Sequence, residues 1–166
     1  MPARGVHFAL TENDVRQLLS QKSNEDRLEY VQLEIEETFF ESREADLVET
    51  DKAWDAIHRC LTDGTLGGTS GQPLELVVLG GRALYSGGDY IMVLKTPEEV
   101  RTVAPLLGAI TQKTLRLAYD LIDPKDYGVE LDHEDFAYTW ENFDELREFW
   151  DRAAKQGRSI LFTADQ

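Results

Sequence analysis

The stretch ETDKAWDAIHRCLTDG, residues Glu49 to Gly64, decides the fold because it carries a start signal, an apolar stripe and a stop signal for one helix. Thr50 or Asp51 is a suitable N-cap, since a short side-chain oxygen accepts from the free N–H groups of a first turn. Asp63-Gly64 suits the helix end, where glycine takes the left-handed conformation. Apolar residues recur at three- and four-residue spacing and predict a short amphipathic helix: Ala53, Trp54, Ile57 and Leu61.

The same helix carries polar side chains beside its apolar stripe. Asp51, Asp55 and His58 are spaced to project from a common side. A carboxylate three residues before a histidine can orient the imidazole, raise its pKa or share a metal with it. Such a pair is more often a structural hydrogen bond, and Trp54 is more often a core anchor. We keep these four residues as candidate binding residues and assign no catalytic residue and no metal ligand.

Length and composition predict one globular domain. The chain has 166 residues, 42% of them hydrophobic and 10% aromatic, enough to bury a sizeable core. No apolar run approaches the ~20 residues of a membrane span, and the first residues lack a secretory signal. Cys60 is the only cysteine, which excludes an internal disulfide and a cysteine-based zinc cage. We expect a cytoplasmic protein without membrane contact or cofactor.

The net charge of −15 is concentrated in two segments. Residues 12–51 hold 13 acids against 4 bases, and residues 120–151 hold 12 acids against 2 bases. Such a surface repels phosphate and anionic lipid, which disfavours nucleic-acid and membrane binding. It attracts a basic protein and speeds the encounter. The alternative is that the charge serves solubility alone.

Strand patterns occur at both ends of the chain and in its middle. Alternation predicts strands at residues 5–10 and 159–163, and an apolar run predicts a strand at 90–94. The apolar run at 74–79 fits either a buried strand or a helical turn. We expect the N- and C-terminal strands to be adjacent, which would hold both termini in place. The fold class is therefore α+β: a single compact domain over residues 1–166, mostly helical with a small mixed β-sheet.

Capping signals predict most of the helices. Thr11 with Asp14 and Thr96 with Glu99 form capping boxes. Asp132 precedes the longest helix, at about 133–156. Residues 28–40 fit both a helix and a strand, because Val31, Leu33 and Ile35 also alternate with polar residues. We favour a helix from Ser23 to about Glu41, since its glutamate-rich background suits a helix better.

Two glycine-rich turns surround Arg82, at Gly80-Gly81 and at Ser86 to Asp89. Neither matches a phosphate-binding loop, so tight turns that need positive φ are the simpler interpretation. Arginine is a preferred binder of carboxylate and phosphate, and we therefore add Arg82, Asp89 and Tyr90 to the candidate binding residues. The composition of residues 65–72 predicts a loop, which is either a lid or a plain connection.

Several of these segments together resemble a known family. The pattern Asp-Lys-x-Trp-x-x-x-His from Asp51 to His58 is similar to the YfbM-like family of uncharacterised bacterial proteins, a domain of unknown function. The segments Val78 to Arg82 and Gly88 to Tyr90 and the closing strand also fit. The resemblance implies a compact α+β bacterial domain. It implies no catalytic residue, cofactor or substrate.

Two functions of different classes follow. The first is an acidic protein-binding module, an inhibitor or immunity-type protein for a basic partner such as a toxin. The second is a small-molecule-binding protein or enzyme with a polar pocket around His58 and Arg82. The two functions differ in geometry: a pocket requires His58 and Arg82 within mutual reach, whereas side chains on opposite faces exclude it. A protein with neither role is a third possibility, and we favour the first.

Overall fold

The first and last strands of the chain lie side by side at the centre of a five-stranded sheet, in a computed structural model that describes residues 3–67 and 71–165. The sheet order is β2-β1-β5-β4-β3. The strands are β1 Gly5–Leu10, β2 Leu47–Asp51, β3 Arg82–Ala83, β4 Tyr90–Lys95 and β5 Ser159–Asp165.

The predicted adjacency of the terminal strands is confirmed. β1 pairs with β5 from Gly5 opposite Ala164 to Leu10 opposite Ser159, and β4 pairs with the other edge of β5. The predicted α+β class is confirmed as well. The sheet differs from the mixed one that we expected, because all four described strand pairs are antiparallel.

Helices cover both faces of this sheet, and each face has its own apolar core. One core lies under the helices between residues 12 and 42 and includes Phe8, Leu94 and Leu161. The other lies under the helices between residues 54 and 155 and includes Trp54 and Phe162. The strands supply both cores because successive side chains point to opposite faces. The α-helices are α1 Glu12–Leu19, α2 Asn24–Tyr30, α3 Glu37–Ser42, α4 Trp54–Leu61, α5 Pro97–Gly108, α6 Gln112–Tyr119, α7 Pro124–Tyr127 and α8 His133–Lys155.

The favoured helix in the ambiguous region is present, and it contains a π-helical segment. α2 continues through a π-helix at Val31–Glu36 into α3, and we call residues 24–42 the acidic helix. Val31, Ile35 and Phe39 are buried at four-residue intervals against the sheet. This spacing exceeds the 3.6 residues of an α-helical turn, and the wider turn of the π-helix keeps all three residues on the sheet.

Of the two alternatives at 74–79, the helical turn is present and the strand is not: Pro73–Val77 is a 3₁₀-helix, and the N–H of Gly80 donates to the carbonyl of Glu75. The predicted N-cap of the Trp54 helix is wrong. Thr50 and Asp51 do not cap α4: they belong to β2, and α4 begins at Trp54 with Ala53 as N-cap. The capping boxes at Thr11 and Thr96 and the Asp132 cap are confirmed.

Candidate functional site

The seven candidate residues are divided between the two faces of the sheet. Trp54 and His58 are buried on α4, and the Trp54 ring lies 5.7 Å from the ring of Phe162 in the core under α4 to α8. Tyr90 belongs to the opposite core, under the acidic helix. The candidate residues therefore do not surround one pocket.

His58 and Arg82 in particular do not converge. Arg82 pairs with Leu94 across β3 and β4, and directly opposite residues of an antiparallel pair point to the same face. Leu94 faces the core under the acidic helix, whereas α4 packs on the other face. The sheet therefore separates the exposed Arg82 from His58, and the described residues assemble no pocket around the two.

Asp55 pairs with Arg59 instead of orienting His58. Arg59 is 4% exposed, and its guanidinium donates to Asp55 Oδ1 and to Asp126 Oδ2, both at 2.6 Å. Burial raises the pKa of Asp55, and the bond from Arg59 opposes that rise. The sequence contains the signal for this pair, since a carboxylate four residues before an arginine is a helical ion-pair spacing.

His58 lies in the core as a neutral ring. It is 3% exposed, and its Nδ1 atom has no hydrogen-bond partner among the described residues. Burial lowers the pKa of His58 to about 4, so the imidazole is uncharged near neutral pH. These features suit a neutral ring packed in the core better than a general base, which must lie within hydrogen-bond reach of the proton that it abstracts.

The structure buries two further bases that the sequence patterns do not predict. Lys95 and His7 are fully buried, the Lys95 Nζ donates to the carbonyl of Val78 at 2.6 Å, and His7 Nε2 lies 3.1 Å from Thr50 Oγ1. Burial lowers the pKa of both groups well below their ordinary values. Nothing in the sequence separates them from the exposed polar residues that normally alternate along a strand.

Asp51 and Trp54 fasten neighbouring elements to the end of β2. Asp51 has a positive φ of 45°, and its carboxylate accepts a short hydrogen bond from the Tyr138 hydroxyl of α8. The Trp54 indole N–H donates to the carbonyl of Ala3 at 2.6 Å. Both residues therefore have structural partners in the fold.

Asp89 and Tyr90 lie at the turn before β4 and at its first residue. The Tyr85 hydroxyl donates to Asp89 Oδ1 at 3.0 Å, and the Tyr90 hydroxyl donates to Glu36 Oε1 at 2.6 Å. Asn24 and Arg27 of the acidic helix reach the same hairpin, through Ser86 and the carbonyl of Leu84. These residues anchor the acidic helix to β3 and β4.

The outer side of the acidic helix combines an exposed apolar side chain with acidic ones. Leu33 is 50% exposed. Phe40 is 39% exposed, but its ring lies 6.5 Å from that of the buried Phe8. Residues 24–42 hold seven acids and one base, Arg27. The acids that are exposed are Glu25, Asp26, Glu29, Glu34, Glu37 and Glu41.

A cleft of about 190 Å³ lies on this side of the helix. Tyr30 and Leu33 supply its apolar wall, and Asp26, Glu29 and Glu34 supply carboxylates. Burial and the charges of Asp14 and Glu34 raise the pKa of Tyr30, so its hydroxyl stays neutral. The cleft thus combines an apolar wall with carboxylates.

Neither a metal-binding cluster nor a membrane-spanning helix occurs in the part of the chain that the structure describes. No three histidine, cysteine, aspartate or glutamate side chains there come together to hold a metal ion. None of the described helices is long and apolar enough to cross a bilayer. Of the predicted loop at 65–72, residues 68–70 lie outside the described residues.

The chain is thus an α+β domain in which helices cover both faces of an antiparallel sheet and one of them is strongly acidic. Its residues 1–163 match the model of the family described as Domain of unknown function (DUF1877), and the chain belongs to that family. It is similar to a crystal structure of YfbM from Escherichia coli, a protein of unknown function, with a TM-score of 0.70 and 22% sequence identity. The match covers 97% of this chain and 99% of that one. It confirms the YfbM-like resemblance. At this identity the match shows only that the two folds are similar. No curated protein matches the chain.

Proposed function

We propose that this protein is an acidic protein-binding module, an inhibitor or immunity-type protein that holds a basic partner against the acidic helix. The observation that carries the proposal is the exposure of Leu33 beside a cleft lined with carboxylates. An apolar centre within a polar rim is the usual anatomy of a protein interface.

The cleft beside Leu33 suits a lysine or arginine side chain of a partner. The aliphatic stem of such a side chain would lie on Leu33 and Tyr30, and its cationic end would reach Glu29 and Glu34. Long basic side chains commonly bury their stems while the charge stays among polar groups. One cleft therefore supports both apolar contact and charge recognition.

The π-helical segment also supports an interaction role for the acidic helix. π-Helical turns are rare and occur frequently at functional sites. Here Val31–Glu36 adjoins the cleft and includes Leu33. The widened turn keeps Ile35 in the core while it presents Leu33 and Glu34 outward.

The charge of the whole surface favours the same partner. A net charge of −15 steers a basic protein toward the surface over a screening length of ~10 Å at 0.1 M salt. The pocket around His58 and Arg82 gains no comparable support, because the sheet separates these two side chains.

The test is affinity capture from lysate of the native host, with a matched pair of charge variants. Glu29→Lys/Glu34→Lys reverses the two carboxylates of the cleft. Glu98→Lys/Glu130→Lys makes the same charge change at two exposed positions outside this cleft. We expect wild type and this control variant to retain one basic protein at low salt, and the cleft variant to lose it.

Salt provides the second arm of the test. Retention should fall steeply as salt rises, since screening removes steering by exposed charges. A partner that the cleft variant retains as well as wild type, or capture of no basic protein at low salt, would overturn the proposal.

A further inference from the structure

β2 is an end strand of the sheet, with one side free for pairing. Among the described strands it pairs with β1 alone, through Leu47, Val48, Glu49 and Asp51. The outer side of such a strand presents N–H and carbonyl groups that can pair with another extended chain. Addition of a partner strand to an exposed edge is a common mode of peptide recognition.

A cleft of about 490 Å³ runs beside this edge, between β2 and α8. Its walls include Val48 and Glu49 from β2 and Asn142 and Glu145 from α8. Asn142 Nδ2 donates to the carbonyl of Tyr138, which fixes this side chain against its own helix. The cleft therefore provides space along the edge for the side chains of an added strand.

Carboxylates lie on both sides of the edge. Glu49 pairs with Val6, which packs against the core under the acidic helix. Asp51 bonds to Tyr138 of α8 and therefore lies on the α8 side with Glu145. Alternate residues of an added strand point to opposite faces, so basic side chains on either face would meet a carboxylate.

We infer that the β2 edge binds an extended basic segment of a partner protein as a sixth strand of the sheet. The inference rests on the proposed function, since it takes the partner to be basic, and it adds the conformation of the segment and the place where it binds. The edge follows the acidic helix directly in the chain, through the 3₁₀-helix Glu44–Asp46.

Charge argues against a second copy of this chain at the same edge. Two copies would bring Glu49, Asp51 and Glu145 of each into proximity, and facing like charges are destabilising. Among the described residues, Arg4 is the one base that lines the cleft, and its Nε lies 3.6 Å from Asp51 Oδ1. This ion pair is exposed, so it contributes little and an arriving cation can replace it.

The probe for this inference is a synthetic peptide of alternating lysine and valine, added to the full chain. Its control alternates lysine and proline, which keeps the charge and removes N–H donors. Amide NMR and hydrogen exchange report binding residue by residue. We expect the lysine–valine peptide alone to protect alternate amides of Leu47–Asp51.

Charge variants locate the peptide. Glu49→Lys/Glu145→Lys should weaken its binding at least about tenfold, since facing like charges cost several kcal/mol. Glu29→Lys/Glu34→Lys should leave protection of β2 in place. Equal binding of both peptides, shifts confined to residues 24–42, or a wild-type dimer that buries β2 would overturn the inference.

The two proposals fail separately. If the lysine–valine peptide leaves β2 unprotected while the cleft variant still loses the captured protein, the strand-addition inference alone is wrong. If capture is indifferent to Glu29 and Glu34, the proposed function is wrong whatever the peptide does.

Discussion

The Tyr90 hydroxyl donates a 2.6 Å hydrogen bond to Glu36 Oε1 and so joins β4 to the π-helical segment of the acidic helix. Tyr90 is 5% exposed. Burial raises the pKa of Glu36, and the bond from Tyr90 opposes that rise. One carboxylate of a strongly charged helix is thus used to hold that helix on the sheet while its neighbours face solvent.

Replacement of Tyr90 by phenylalanine should loosen this attachment. Tyr90→Phe removes the donor and leaves a half-buried carboxylate, which should lower the free energy of unfolding by about 1 to 2 kcal/mol. The pKa of Glu36 should rise, since the bond that lowers it is gone. Urea unfolding and NMR titration measure the two effects. Tyr85→Phe, whose hydroxyl bonds to the exposed Asp89, is the control, and an equal loss in both variants would contradict the prediction.

Local signals in the sequence predict much of the fold. Thr96 and Glu99 fix the start of α5 within one turn, because both halves of the capping box lie inside a few residues. Two alternating segments at the chain ends predict the pairing of β1 with β5. Local patterns do not predict β2, because its residues adjoin the helix signal at Trp54 and its strand conformation depends on pairing with β1.

The arrangement of the candidate residues depends on which face each strand residue takes, and this is set by long-range pairing. Arg82 and Tyr90 are close to one another in sequence and His58 is not, but sequence proximity does not tell which side of the sheet receives each side chain. Lys95 and His7 are buried through contacts with distant elements. The spacing of residues in the sequence therefore does not predict their burial.

Arg59 should be essential for stability through its two carboxylate partners. Arg59→Met leaves Asp55 buried without its cation, and loss of one partner of a buried ion pair costs about 3 to 5 kcal/mol. The measurement is urea unfolding at neutral pH. Lys155→Met breaks the exposed pair with Asp151 and should change stability by less than about 1 kcal/mol. Similar losses in the two variants would show that the Arg59 network contributes no more than a surface pair.

Lys95 should make the free energy of unfolding depend on pH in the alkaline range. Burial lowers the pKa of Lys95 in the folded state, so the unfolded chain binds the proton more tightly. Stability of wild type therefore rises with pH from the folded pKa up to about 10.5, the ordinary value for lysine. Lys95→Met lacks this dependence, and any stability advantage of the variant should shrink as pH approaches 10.

Thermal unfolding of both proteins between pH 7 and 10 measures that difference. Lys155→Met removes an exposed lysine and should give a difference from wild type that hardly changes with pH. A constant difference between Lys95→Met and wild type over this range would show that the Lys95 amine is protonated and solvated in the folded protein.

His58 should make the stability of the folded protein fall at acid pH. The unfolded chain protonates this histidine below about 6.5, whereas burial delays protonation in the folded state to about pH 4. The unfolded state therefore binds more protons between these values, and wild type loses stability as pH falls from 6.5 to about 4. This lowering of the His58 pKa corresponds to a loss of about 3 kcal/mol in the free energy of unfolding once the pH lies below both values.

The measurement is the difference in unfolding free energy between wild type and His58→Gln from pH 7.5 to 4.5. Glutamine cannot be protonated. The unfolding free energy of the variant, relative to that of wild type, should therefore rise as pH falls through the lower part of this range, whatever the difference at neutral pH. His133→Gln removes an exposed imidazole and should leave the pH profile close to that of wild type. Parallel profiles for wild type and His58→Gln would mean that the buried ring is protonated as readily in the folded as in the unfolded chain, and that α4 opens to water on this side.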